Sequence, residues 1–216
     1  MDKLVIFDLD GTLLDTLPDL AYNVNKMLEH FMLPTVTTED VRRYIGNGAR
    51  KLVERSVGGI KDEKLFEEYF SYYNKLYDAS KSSKTKFFDG IPEVLREFKR
   101  RGYKLAICTN KPQTPTENVY RQFFKEFEFD MVVGLSDKVV RKPDPSATLD
   151  IINKLGVQKE NVYFVGDGET DVMTAKNAGV KSVAVLWGYR DKQELQDAGA
   201  NIFALKPLDL INLISL

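Results

Sequence analysis

Asp8 and Asp10 stand two residues apart, directly after the apolar run Leu4-Val5-Ile6-Phe7. Three further polar groups follow apolar runs in the same way. Thr109 and Asn110 come after 105–108, Lys142 lies between Arg141 and Pro143 in the connection after 131–133, and Asp167 and Asp171 follow 162–165. Gathered in one place, three or four carboxylates repel one another strongly unless a cation lies among them. Carboxylate oxygens, with backbone carbonyl and water, suit Mg²⁺. A lysine and a threonine hydroxyl beside them would bind phosphate oxygens. Acids, a hard cation and a phosphate clamp together describe phosphoryl transfer.

The elements that must position these groups are legible in outline. Residues 4–7 form a short continuous apolar run, the pattern of a strand buried on both faces of a parallel sheet. Similar runs occur at 105–108, 131–133, 162–165 and 183–186. Helical patterns alternate with them at 92–101, 113–125, 146–155 and 171–178, and short units follow at 193–198, 202–204 and 208–214. Such alternation predicts an α/β fold, a Rossmann-like doubly wound parallel sheet. The carboxyl ends of its strands share one edge, where ligands bind, so the four polar clusters should converge there.

Residues 15–84 carry no convincing strand. Leu20, Val24, Met27, Leu28 and Phe31 recur at helical spacing, Thr38-Glu39-Asp40 reads as a helix start, and 49–57 and 62–77 read as further helices. Gly46-Asn47-Gly48 is a loop, and the polar stretch 80–86 a hinge. The expected division is a catalytic core of 1–14 and 85–216 with an inserted α-helical cap, 15–84, that selects the substrate.

The chain has 216 residues, 43% hydrophobic and 29% charged, with 31 Lys and Arg against 32 Asp and Glu. A net charge of −1 gives no global attraction to nucleic acid or a membrane surface. Cys108 is the single cysteine, so no intramolecular disulfide can form, which fits a cytoplasmic location. The first residues lack the basic start and long apolar stretch of a secretory signal, and no later stretch approaches a membrane span. The expected partner is a small phosphorylated metabolite, and monomer and homodimer are both open.

Asp8-Leu9-Asp10-Gly11-Thr12-Leu13 resembles the first motif of the haloacid dehalogenase-like hydrolase superfamily. Thr109, Lys142 and the 166–171 segment match its other three motifs in order. Within the superfamily, residues 15–20, Val24-Asn25, 45–49, Glu54-Arg55, 109–112 and Trp187-Gly188-Tyr189 are most similar to phosphoglycolate phosphatases. Phe88-Asp89-Gly90 and 134–137 depart from that pattern without touching the chemical residues. The resemblance implies a Mg²⁺-dependent phosphatase in which Asp8 is the nucleophile and Asp10 the general acid and base. Asp8, the Asp10 carbonyl and Asp167 would hold the metal, with Asp171 orienting that shell. Thr109 and Lys142 would hold the transferring phosphoryl group. Thr12, Asn110, Gly46, Asn47, Gly48 and Arg55 would bind or frame the substrate, with 2-phosphoglycolate the leading candidate.

Plainer readings stand beside these. Asp171 could cap the helix it begins, Gly46-Asn47-Gly48 alone is an ordinary turn, and Cys108 reads as inert core. His30 and the acids Glu63, Glu67 and Glu68 read as solvated. Pyrophosphatase and broad sugar-phosphate phosphatase are the alternatives. The superfamily's dehalogenases lack the second aspartate, which is present here as Asp10. Its sugar phosphomutases carry a histidine ten residues after that aspartate, where this chain has Leu20. A non-catalytic binding module would be expected to lack one of the chemical groups.

Overall fold

The computed structural model describes residues 3–80 and 82–214; Met1, Asp2, Lys81, Ser215 and Leu216 lie outside the described residues. The chain opens with β1 (Leu4–Phe7) and β2 (Leu14–Asp15). Four helices follow: α1 (Leu17–His30), α2 (Thr38–Tyr44), α3 (Gly48–Ser56) and α4 (Glu63–Ala79). Then come β3 (Lys86–Phe87), α5 (Ile91–Arg100), β4 (Lys104–Pro112), α6 (Gln113–Phe123), β5 (Met131–Leu135) and α7 (Ser146–Leu155). The last elements are β6 (Val162–Gly166), α8 (Glu169–Ala178), β7 (Lys181–Val185), α9 (Lys192–Asp197), β8 (Phe203–Ala204) and α10 (Asp209–Leu213).

Six strands form one sheet in the order β5-β4-β1-β6-β7-β8, every pair parallel. From β1 the chain winds outward through β4 and β5, then returns to the other side of β1 with β6. The order therefore reverses between β1 and β6, and their carboxyl ends flank the switch point at which such sheets bind ligands. The expected doubly wound α/β fold is observed. The pleat sorts the side chains: Val5 and Phe7 enter one apolar layer with Val94, Leu95, Phe98 and Leu210. Leu4 and Ile6 enter the opposite layer with Ala147, Ile151, Ile152 and Ala175. Burial on both faces explains why the strands read as unbroken apolar runs.

Two elements differ from the sequence expectation where it matters. β4 runs on to Pro112, four residues past the apolar run 105–108. Its polar end keeps pairing with β5 through a bulge, so Thr109, Asn110 and Lys111 belong to a strand and not to a loop. Helix α8 starts at Glu169, two residues early, which puts Asp171 inside its first turn.

The chain divides into two compact units, one of residues up to Asp15 and from Phe87 onward, the other Thr16–Lys86. The second unit is helical. Leu20, Val24, Met27 and Leu28 of α1 pack with Val41, Leu52, Val53, Phe66 and Tyr73. α2 begins with a reciprocal cap, in which Thr37 Oγ1 accepts from the Asp40 N–H and Asp40 Oδ2 accepts from the Thr37 N–H. Within this unit Asp19 is buried on the first turn of α1, where Oδ2 accepts from Thr85 Oγ1 at 2.6 Å and both oxygens lie near the Lys84 N–H. The start of α1 is thereby tied to the returning chain. Among the described residues no helix is long and apolar enough to cross a membrane.

Replacing Asp19 by Ala removes those acceptors and leaves the Thr85 hydroxyl buried without its partner. The expected cost is about 2 kcal/mol, measured as a lower urea midpoint at unchanged slope. An unchanged midpoint would show that the tie contributes nothing to stability.

Candidate active site

The loop after β1 is held by its own backbone. The Asp8 N–H donates to Val165 O of β6, the Gly11 N–H to Leu14 O, and the Leu13 and Leu14 N–H groups to Leu9 O. Gly11 sits at φ +86°, a conformation that side-chain-bearing residues rarely adopt. A Cβ there would also collide with the Asp167 carboxylate. The loop thus lies against the end of β6, and Asp8 faces Asp167 and Asp171. One ligating oxygen from each of these three acids lies within 4.8 Å of the others.

Their energetics follow from that crowding. Burial pushes Asp167 up to about 8, with repulsion from Asp8 and Asp171 adding to the shift, while the Tyr189 N–H and Thr12 hydroxyl pull the other way. Burial likewise raises Asp8 to about 6, opposed by Lys142 and assisted by Asp171 and Asp10. Lys142 is the counter-charge. Its Nζ lies 3.0 Å from Asp8 Oδ1 and 2.6 Å from Asp171 Oδ1, and donates to Cys108 O at 3.0 Å. Burial pulls its ammonium down, but the joint attraction of Asp171 and Asp8 overrides this and holds it above its ordinary value. The contact with Asp8 is an ion pair without hydrogen-bond alignment, and Asp8 Oδ1 is buried with no hydrogen-bond donor.

Asp171 has both oxygens engaged. Oδ1 holds Lys142, and Oδ2 accepts from the Gly168 N–H at 2.9 Å. One side chain therefore both caps α8 and pairs with Lys142. Asp167 Oδ1 accepts from Thr12 Oγ1 at 2.9 Å and Oδ2 from the Tyr189 N–H at 2.8 Å. Each oxygen keeps a lone pair for a cation.

Several residues take places that differ from the sequence expectation. Thr12 was expected to support the turn and frame the substrate; it is fully buried, its hydroxyl on Asp167, and its carbonyl accepts from Trp187 Nε1 at 3.0 Å. Asn110 was expected at the substrate; its amide instead spans the backbone of Lys142. Asn110 Oδ1 accepts from the Lys142 N–H at 2.8 Å, and Nδ2 donates to Lys142 O at 3.2 Å. Thr12 thus contacts an acid that follows β6, and Asn110 the backbone of the β5–α7 connection. Thr109 is buried beside them, with its hydroxyl oxygen accepting from the Lys111 N–H at 3.3 Å. Cys108 is buried and its thiol is pushed up to about 11 by that burial, so it is inert core as expected.

In the helical unit, Arg55 donates to Tyr44 O and to Asn47 Oδ1, both at 2.8 Å. Its guanidinium braces the 46–48 loop, whose Gly46 and Gly48 have φ of 109° and 80°. Glu63 and Glu67 are exposed but hold Arg50. The exposed His30 stacks on Tyr72 with ring centroids 3.9 Å apart.

Sequence reasoning assigned no role to Lys111, Trp187 or Tyr189. The only signal was their place in the 109–112 and 187–189 segments. Lys111 is buried, with Nζ 2.9 Å and 3.1 Å from the two oxygens of Asp10. Gly188 also lies so close to Asp167 that a Cβ would overlap its side chain.

Comparison with known proteins agrees with this geometry. Residues 5–185 match the family model of haloacid dehalogenase-like hydrolases. The chain is 34% identical to phosphoglycolate phosphatase 1 of Pseudomonas aeruginosa over 98% of its own length and 79% of that protein. It is 32% identical to the phosphoglycolate phosphatase of Aquifex aeolicus over 98% and 96% of the two chains. Its fold superimposes with a TM-score of 0.92 on a Lactobacillus delbrueckii subsp. bulgaricus protein proposed to be a phosphoglycolate phosphatase, at 28% identity and 99% coverage of both chains. A parallel sheet carrying four acidic, hydroxyl and lysine clusters on one edge, matched over most of its length, places the chain among the haloacid dehalogenase-like hydrolases.

Proposed function

We propose that this chain is a Mg²⁺-dependent phosphatase that hydrolyses small phosphate monoesters, with 2-phosphoglycolate the leading substrate, through a phosphorylated Asp8. The observation that carries the reading is Asp8 itself. Its Oδ1 is buried and meets the Lys142 ammonium at 3.0 Å as an ion pair without an aligned hydrogen bond, at the switch point of the sheet. An unsolvated carboxylate oxygen beside a fixed cation is a nucleophile with a ready site for phosphoryl charge.

The residues divide the work. Asp8 attacks phosphorus, and Asp10 delivers a proton to the leaving alkoxide and then takes one from the attacking water. Lys142 and the Thr109 hydroxyl hold the phosphoryl oxygens, while Asn110 and Asp171 keep Lys142 in place. The donor set fits a hard divalent cation: Asp8 and Asp167 keep ligating oxygens, and burial beside other carboxylates raises both, a cost that a cation would relieve. Asp8, Asp167 and the Asp10 carbonyl would hold Mg²⁺, which when bound neutralises phosphoryl charge against Asp8. Leu20 packs into the helical core at the position where the superfamily's mutases place a histidine, which favours transfer to water.

The metal reading predicts a sign for stability against pH. Asp8 and Asp167 bind protons more tightly when folded than when unfolded. Their contribution is therefore full below about pH 4 and is lost as pH rises through about 6 and about 8. In chelator, the melting temperature should fall from pH 5 to pH 8, and Asp167→Asn should flatten that slope. Added Mg²⁺ should raise the melting temperature more at pH 8 than at pH 5. Equal shifts at both pH values would refute metal binding by these carboxylates.

Activity gives the direct test. Chelation should abolish turnover of phosphoglycolate and Mg²⁺ restore it. Mass spectrometry of quenched reactions should find phosphate on Asp8, and Asp8→Asn should be inactive. Phosphate on another residue, or full activity without metal, would end the assignment.

Substrate choice is assigned to the helical unit, supported by its Gly46-Asn47-Gly48 loop braced by Arg55. Asn47→Ala should lower kcat/KM for phosphoglycolate about tenfold while leaving an aryl phosphate nearly unaffected. A parent enzyme that clearly prefers pyrophosphate or a hexose phosphate would overturn the substrate and leave the chemistry standing.

A further inference from the structure

Lys111 and Lys142 are the two buried lysines of this edge, and they serve different acids. The Lys142 ammonium is shared by Asp8 and Asp171, whereas the Lys111 ammonium grips both oxygens of Asp10. The Lys111 side chain is only 4% exposed and that of Asp10 17%. An ammonium so deeply withdrawn from water requires a close anionic partner.

The backbone is built to present it. Cys108 of β4 pairs with Val133 of β5, and Pro112 with Leu135, so four steps along β4 run against two along β5. The surplus is a bulge, a device that re-aims side chains. It is locked from several sides. The Lys111 N–H donates to Thr109 Oγ1, and Thr116 Oγ1 donates to Pro112 O at 2.8 Å. Gly134 packs so tightly here that a Cβ would lie 2.8 Å from Lys111 O, and its N–H donates to Gln113 Oε1 at 2.6 Å. No side chain larger than hydrogen fits at Gly134 without moving the bulge.

We infer that Lys111 is a positioning residue for Asp10, fixing its carboxylate in the orientation that accepts a proton from the water attacking phospho-Asp8. The inference rests on the phosphatase reading above. In that step the water oxygen bonds to phosphorus, the Asp8 Oδ–P bond breaks, the water proton passes to Asp10, and inorganic phosphate leaves. Two contacts to one ammonium remove the carboxylate's freedom to rotate, so Asp10 meets the water in one geometry. The first step on an aryl phosphate needs no proton, because a nitrophenolate leaves unassisted. Loss of Lys111 therefore falls on hydrolysis of the intermediate.

The test is quenched-flow kinetics with p-nitrophenyl phosphate and Mg²⁺ on the parent, Lys111→Met, Lys111→Gln and Asp10→Asn. Lys111→Met should release a burst of nitrophenolate, then turn over about 10- to 100-fold more slowly. Intact-protein mass spectrometry should find Asp8 largely phosphorylated at steady state, with KM falling alongside kcat. Lys111→Gln, which keeps a neutral amide donor, should accumulate less phosphoenzyme and covers the case in which Lys111→Met does not fold. Adding Lys111→Met to Asp10→Asn should cost little more than Asp10→Asn alone. A raised KM confined to carboxylated substrates, without phosphoenzyme, would overturn the inference and make Lys111 a substrate contact. Multiplicative losses in the double variant would overturn it too. A parent with no turnover would overturn both this inference and the phosphatase reading, whereas a normal parent beside an unaltered Lys111→Met would overturn this one alone.

Discussion

Negative charge concentrated at one sheet edge is the constraint around which this molecule is organised. Asp8, Asp167 and Asp171 approach within 4.8 Å, where buried carboxylates repel strongly. Lys142 is the protein's internal answer. It sits over the Phe164 ring at 5.4 Å and between two of the acids, and it is anchored through its backbone by Asn110. Burial, with repulsion from Asp8 and Asp171 added to it, keeps Asp167 well above the ordinary carboxylate range despite the Tyr189 N–H and the Thr12 hydroxyl. Fold stability and chemical readiness are thus in tension at this edge, a common arrangement where groups must be poised for charge transfer.

Close packing is what makes the constraint tolerable. Gly11 and Gly188 approach Asp167 where a Cβ would overlap it, and Gly166 stands in the same relation to Asp171. The acids are enclosed by backbone, whose N–H groups at Tyr189 and Gly168 donate to them. A backbone dipole held in place costs no reorganisation when charge moves during reaction. Several residues of the site accordingly act on other residues: Thr12 and Tyr189 on Asp167, Asn110 on Lys142, Asp171 on Lys142.

The helical unit is organised by separate forces. Its core is an apolar stripe from α1 packed against α2, α3 and α4, and its polar features are local ties, such as Arg55 to Asn47 and Asp19 to Thr85. A unit with its own core can diverge in its loops while the parallel sheet keeps the chemical residues in register.

By itself the sequence determined the alternation of apolar strands and amphipathic helices, and hence the parallel sheet and the edge on which Asp8, Thr109, Lys142 and Asp167 meet. Those signals are local: a period, a run, an acid after a strand. The partners of each polar side chain were decided only by tertiary structure, because hydrogen bonds between residues such as Thr12 and Asp167, 155 positions apart, leave no periodic trace. Asn110 looked like a ligand group and became a brace, since the returning 141–143 segment offers it both a donor and an acceptor. Lys111 looked like the tail of a motif. Only the bulge between β4 and β5, a register shift that no single strand encodes, turns it onto Asp10.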